Sequence, residues 1–226
     1  MRRMDCSAHC AATDRLFGAK TAEGDLRRYR RKGADRHTRL MLEELRRWPV
    51  AGASLLDIGG GIGVLGLELM VTGARRVVQV DASAAYLAAT QRQFAERGWS
   101  DRLQAVPGDF ATLAQQIDPA DIVTLDRVVC CYPDYERLLA RASNCARTAL
   151  ALSYPRDRWY VRAVIALENL WRRITQDAFR AFVHPPTRLA TVLERSGLRR
   201  VARRGTAIWV VDLYRRDGMA GQGSSP

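Results

Sequence analysis

Two rhythms of apolar and polar positions alternate along this chain. Short apolar runs occupy Ser54–Ile58, Arg76–Val80, Arg102–Val106, Asp121–Val129 and Thr148–Tyr154. Their length and β-branched content predict strands, the first of them buried on both faces. Between them lie segments with helical spacing: Ile62–Val71 closed by Gly73, a helix from Ser83 through Arg97 stopped by Gly98, and Pro133–Arg147. Ser83 is a plausible N-cap, and the glycines are natural stops. Strands alternating with helices at this interval predict βαβ units and a mostly parallel sheet.

The two ends of the chain follow other patterns. Residues 1–24 read as a flexible arm, the first twenty lacking any clear period. From Asp25 to Trp48 the apolar positions Leu26, Tyr29, Leu40, Met41, Leu42 and Leu45 recur near helical spacing, until Pro49 and Gly52. After the fifth strand, Arg158–Phe179 predicts a long amphipathic helix carrying Trp159, Tyr160, Leu167, Leu170 and Trp171, with a break at His184-Pro185-Pro186. A short helix then runs to Gly197. Leu198–Arg204 and Ala207–Tyr214 predict a closing hairpin around Gly205. Residues 25–216 thus form a single domain, and 217–226 a Gly/Ser-rich disordered tail.

The junction after the first strand carries the densest chemistry. Asp57-Ile58-Gly59-Gly60-Gly61-Ile62-Gly63 places an acid and a glycine-rich turn directly before a helix. Glycines allow positive φ and close approach of a ligand, and the helix start offers free N–H groups. Gly61, Gly63 and Gly66 alone would also describe a dinucleotide turn. A carboxylate at Asp57 would repel a pyrophosphate and suit a cationic ligand, which points to S-adenosylmethionine (SAM). Asp81-Ala82 ends the second strand, where an acid can accept from both ribose hydroxyls. Asp109-Phe110 follows the third, with a carboxylate and a ring suited to an adenine. Asp126-Arg127 lies in the fourth and faces the same crevice.

With these four elements in order, the chain resembles the class I SAM-dependent methyltransferases over residues 50–154, and to about 214 with the hairpin. The resemblance implies a seven-stranded Rossmann-like α/β sheet of order 3-2-1-4-5-7-6, its last hairpin antiparallel. Helices cover both faces, and the N-terminal and post-strand-5 helices form a substrate lid. It also implies that Asp57, Gly59, Gly60, Gly61 and Gly63 hold the methionine part, and Asp81 with Ala82 the ribose. Asp109 and Phe110 would hold adenine, while Asp126 and Arg127 floor the reaction site. Asp126-Arg127-Val128-Val129 departs from the Asn/Asp-Pro-Pro-Tyr/Phe segment of enzymes that methylate exocyclic amino groups of bases. Cys130 and Cys131 lack the proline that precedes the cytosine C5 nucleophile. A looser similarity, in Val128–Asp134 with its Tyr132-Pro133, is to the magnesium-protoporphyrin O-methyltransferases. The segment Tyr29-Arg30-Arg31-Lys32-Gly33 falls where such small-molecule enzymes place a covering helix.

Composition refines this picture. With 226 residues and 47% hydrophobic content, the chain can bury one sizeable core. No apolar window is long enough for a membrane span, and the N-terminus lacks an apolar leader segment. Five cysteines, two of them adjacent, predict reduced thiols and a cytoplasmic protein. Cys6-Ser7-Ala8-His9-Cys10 matches no closed zinc set, so no metal is expected. The net charge of +12 is almost entirely arginine, Lys20 and Lys32 being the lysines. Its arginine pairs are dispersed and not interleaved with aromatics, which favours a solvated surface over a nucleic-acid face. The expected function is methyl transfer from SAM to oxygen or nitrogen of a small-molecule acceptor. The alternatives are an RNA substrate on the same fold, and ligand binding without turnover. Candidate catalytic groups are Tyr132, His37 and Tyr29, with His184 a further polar side chain over the crevice. A carboxylate acceptor would need no base.

Overall fold

A computed structural model describes residues 13–177 and 179–217 of the chain. Two helices, α1 (Ala19–Lys32) and α2 (Arg36–Leu45), precede the sheet. The alternating part runs β1 (Ser54–Ile58), α3 (Val64–Val71), β2 (Arg76–Asp81), α4 (Ala84–Ala95), β3 (Leu103–Pro107), the short α5 (Phe110–Leu113), β4 (Ala120–Asp126), α6 (Tyr135–Cys145) and β5 (Ala146–Pro155). It ends with α7 (Trp159–Ile174), α8 (Pro186–Arg195), β6 (Leu198–Gly205) and β7 (Trp209–Arg216). The seven strands form one sheet in the order β3-β2-β1-β4-β5-β7-β6, with β7 antiparallel to both neighbours, as the resemblance implies. Because β1 pairs with β2 on one side and β4 on the other, the chain leaves it in opposite directions, opening a crevice at the carboxyl ends.

Successive strand residues serve opposite layers. Leu56, Val78, Val123 and Leu150 face a core shared with Leu138, Leu139, Leu189 and Leu193 of α6 and α8. Leu55, Val77, Ile122 and Ala149 face the other, with Met41, Leu45, Leu69 and Phe94. Every residue of β1 is buried, Ser54 and Asp57 included, as in a strand covered on both faces. Among the described residues, no helix is long and apolar enough to cross a membrane.

Several boundaries differ from the sequence expectation, each for a local reason. The single helix expected over Asp25–Trp48 is two, because Gly33 turns the chain at φ 72° while its N–H caps Tyr29. The flexible arm expected through residue 24 is ordered from residue 13: residues 13–16 are helical and α1 starts at Ala19. Phe17 stacks on Tyr86 at 5.4 Å and its carbonyl accepts from Ser83 Oγ. Residues 1–12, with Cys6, His9 and Cys10, lie outside the described residues, as does the expected disordered tail beyond Asp217. β4 ends at Asp126 rather than Val129, because Arg127 adopts φ 62° and donates its N–H to Ser153 Oγ. Val128 and Val129, which extended the expected strand, pack into a short turn against the core instead. α7 stops at Ile174 rather than Phe179, where Gln176 enters the left-handed region and Asp177 N–H returns to Arg172.

Candidate active site

The glycine turn sits at the head of the crevice, and its shape follows from what surrounds it. Gly61 has φ 57° and its Cβ position faces open space, the nearest atom being Tyr86 Cε2 at 3.9 Å. Its carbonyl accepts from Gln79 Nε2 and Thr90 Oγ1, and its N–H donates to Asp81 Oδ2 at 3.0 Å. Gly60 lies over Asp57: a Cβ there would stand 2.4 Å from Asp57 Oδ2. The chain therefore passes tightly over a carboxylate, then turns a bare backbone toward the cavity.

Two acids anchor this turn. Asp57 is fully buried beneath it, outside the cavity wall, with Oδ1 accepting from Thr124 Oγ1 at 2.7 Å. Its Oδ2 has no hydrogen-bond partner among the described residues. Burial raises the Asp57 pKa to about 7, opposed by Thr124 and reinforced by the charges of Asp126 and Asp81. Asp81 does line the cavity, together with Ala82. Its carboxylate takes N–H groups from Gly61 and, at 2.8 Å, Ser83, while burial raises its pKa to about 6.

Asp109 and Phe110 also line the cavity. Asp109 is the N-cap of α5, accepting from Ala111 N–H and Thr112 Oγ1. Tyr132 donates its hydroxyl to the same carboxylate, 3.0 Å from each oxygen. Tyr132 is thereby joined to the β3 end of the site rather than held over Asp126.

Asp126 and Arg127 form the floor on the far side of β1. Thr38 Oγ1 donates to Asp126 Oδ2 at 2.6 Å, and Ser153 Oγ donates to Oδ1. His37 stands behind this carboxylate, with Nε2 3.6 Å from Oδ1 and its ring stacked on Trp209 at 5.2 Å. The ring is buried outside the cavity wall, and desolvation lowers its pKa, which favours the neutral form. Tyr29 lines the cavity, but its hydroxyl donates to Glu68 at 2.9 Å. Burial and Glu68 raise the Tyr29 pKa to about 12. His184 lies away from the cavity, between Tyr135 and Phe182, with Nε2 3.1 Å from the Val129 carbonyl.

The cavity these elements enclose has a volume of about 750 Å³. Its remaining walls come from α1, α7 and the β6–β7 turn: Asp25 and Arg28, Val161 and Ile165, then Ile208 and Trp209. Arg172 joins them from the end of α7, its guanidinium 4.9 Å from the Phe179 ring centre and paired with Asp177. Phe17, Thr38, Ser153 and Arg172 are the contributors that sequence reasoning misses. Ser153 had a usable signal, since it is the β5 partner of Asp126 in register. Phe17 had none, because it lies in an aperiodic segment.

Comparison with known proteins matches the same region. Residues 55–149 fit the family model described as a methyltransferase domain. Ribosomal protein L11 methyltransferase of Prochlorococcus marinus is 33% identical over 99 residues, 43% of this chain and 32% of that protein. The Psychrobacter arcticus enzyme of the same name is 37% identical over 82 residues, 36% of this chain and 27% of that one. The chain thus spans about a third of the length of these curated relatives. Magnesium protoporphyrin IX methyltransferase from Synechocystis, solved with bound S-adenosylhomocysteine, superposes at TM-score 0.70 and 17% identity, covering 92% of this chain and all of that one. An O-methyltransferase family protein from Burkholderia thailandensis gives 0.65 and 16%, covering 91% of this chain and 64% of that one. Residues 55–149 thus match a methyltransferase domain, on a seven-stranded sheet that shares the fold of these solved methyltransferases.

Proposed function

We propose that this chain transfers the methyl group of SAM to oxygen or nitrogen of a small-molecule acceptor. One observation carries the reading: a glycine turn lying over the buried Asp57 opens, beside Asp81, Asp109 and Asp126, on a cavity of about 750 Å³. Four carboxylates favour a ligand bearing sulfonium and ammonium groups and disfavour a pyrophosphate. The volume lies within the ~300–1,000 Å³ usual for small-molecule sites. When bound, SAM supplies an electrophilic methyl that is displaced in line, so the protein's work is alignment.

The residues divide this work. Gly59, Gly60, Gly61 and Gly63 bring backbone close to the amino-acid part of the donor, and Asp57 sets a negative potential beneath it. Asp81 keeps lone pairs for ribose hydroxyls beside its two backbone partners. Phe110 offers an apolar face to adenine, while Asp109 is engaged in holding α5 and Tyr132. Asp126 is the carboxylate that can orient an acceptor hydroxyl or amine. Thr38 and Ser153 fix its oxygens, and His37 is a positioning residue behind it. Tyr29 and Tyr132 shape the cavity, their hydroxyls being committed to Glu68 and Asp109.

A second reading, methylation of a protein, draws on the ribosomal protein L11 methyltransferases, more similar in sequence than the solved structures. The enclosing helices α1 and α7 favour the small acceptor. Incubation with methyl-labelled SAM separates the two. Label is expected in the low-molecular-mass fraction of an extract, with release of S-adenosylhomocysteine. Label confined to protein or RNA, or donor binding with no product, would overturn the small-acceptor reading.

A further inference from the structure

Helix α7 buries one of its faces poorly. Among the described residues, seven of the ten large apolar side chains that stand exposed lie on it. Trp159 is 81% exposed, Leu167 68%, Ile174 67% and Trp171 66%, with Val164, Leu170 and Tyr160 completing the set. Val161 is the helix's buried residue. The geometry is two adjacent stripes. Val161, Ile165, Glu168 and Arg172, at helical spacing, wall the cavity. Val164 stands at the border, lining the cavity while 57% exposed, and Leu167, Trp171 and Ile174 run beside that wall toward solvent. Ile208, 51% exposed in the β6–β7 turn, extends the patch, held close by Tyr160 donating to the Ala207 carbonyl. A contiguous apolar surface of this kind marks an interaction site.

Charge identifies the partner. Residues 156–180 carry six arginines against three acids. Arg156, Arg158 and Arg162 cluster at the first turn of α7, Arg172 and Arg173 at its last, and Arg180 beyond it. Asp157 and Asp177 are paired with Arg162 and Arg172, which leaves Arg156, Arg158, Arg173 and Arg180 against Glu168. A second copy of the same face would bring like charges together. An anionic lipid surface would not: it takes apolar side chains below and guanidinium groups at headgroup level. Trp159 and Tyr160 at one end, and Trp171 near the other, are the side chains that favour the bilayer interface. At 16 residues the helix is about 24 Å long, suited to lying in the interface rather than spanning it.

We propose that α7 docks this protein on an anionic bilayer surface, apolar stripe inward. So seated, the cavity walled by Val161 and Ile165 opens beside the lipid. This docking is independent of the methyl-transfer reading and is tested without it. The full chain is floated with phosphatidylcholine vesicles containing about 30% phosphatidylglycerol, and with phosphatidylcholine alone. Retention is expected on the anionic vesicles, with a blue shift of tryptophan emission, and with steep loss as salt rises from about 50 to about 300 mM. The variant Leu167→Glu/Trp171→Glu alters exposed positions outside the cavity wall. It should keep the wild-type circular dichroism and melting temperature while losing roughly tenfold or more in vesicle affinity. Equal retention on neutral vesicles, undiminished retention of the variant, or concentration-dependent dimerisation through this face without vesicle binding would overturn the proposal.

Discussion

The glycine turn and the α1/α7 wall enclose one cavity but are built differently. The turn is backbone held by backbone and buried side chains: Gly61 alone is tied to Gln79, Thr90 and Asp81. The opposite wall is made of side chains from segments far apart in sequence, with Arg28, Ile165, Arg172 and Trp209 all lining it. A backbone cradle tolerates almost no change and so carries a fixed ligand. A side-chain wall can be rebuilt residue by residue, so on the proposed function that is where acceptor choice would reside.

The sharpest way to break this contrast is to alter each side and measure donor affinity. Asp81→Ala removes the cavity-lining carboxylate that faces the proposed ribose. Hydrogen bonds to a charged group contribute about 1.5–3 kcal/mol each, so SAM affinity should fall by about a hundredfold or more in calorimetry. Ile165→Ala on the facing wall should leave donor affinity within about threefold, because it touches no donor residue. Equal losses from both variants would erase the distinction.

Steric tolerance should differ in the same sense. Gly60→Ala forces a Cβ to within 2.4 Å of Asp57 Oδ2, so the turn or the carboxylate must move. A loss of about 1–3 kcal/mol in denaturant unfolding is expected. Gly24, inside α1, has nothing within 4 Å of its Cβ position. Gly24→Ala should therefore raise stability by about 0.5–1 kcal/mol, the gain expected in a helix interior.

The donor side should also carry the pH dependence. Asp57 and Asp81 have pKa values raised to about 7 and about 6, chiefly by burial. In the folded state they hold protons that the unfolded chain releases near pH 4. Their contribution to stability is therefore full below pH 4 and is lost as pH rises through about 6 to 7. Thermal unfolding without ligand should show a falling midpoint across that window, flattened in Asp57→Asn. A midpoint rising over the same range would contradict the burial account.

The same contrast explains what could be read from the sequence. Residues 57–63, 81–82, 109–110 and 126–127 are contiguous motifs at strand ends, and the alternation of strand and helix in the sequence sets them on one edge of the sheet. Asp57 was recognisable as an acid but not as one buried under the turn, since that depends on how Gly60 crosses it. The break at Gly33 falls in the polar stretch between Tyr29 and Leu40, where no large apolar position marks the period, so the two helices read as one. Nor could periodicity reveal the positive φ of Arg127, which turns an apparent strand into the floor of the site. Thr38 and Phe17 reach the site through tertiary packing alone, and no local pattern announces such contacts.

The most direct measurement is a calorimetric titration of the full chain with SAM and, separately, with NAD at pH 5 to 7. The account predicts binding of SAM alone. Its affinity should rise with pH as the acids around the glycine turn ionise and draw the cationic donor. Binding of NAD without binding of SAM, or SAM affinity that falls as these acids ionise, would contradict it.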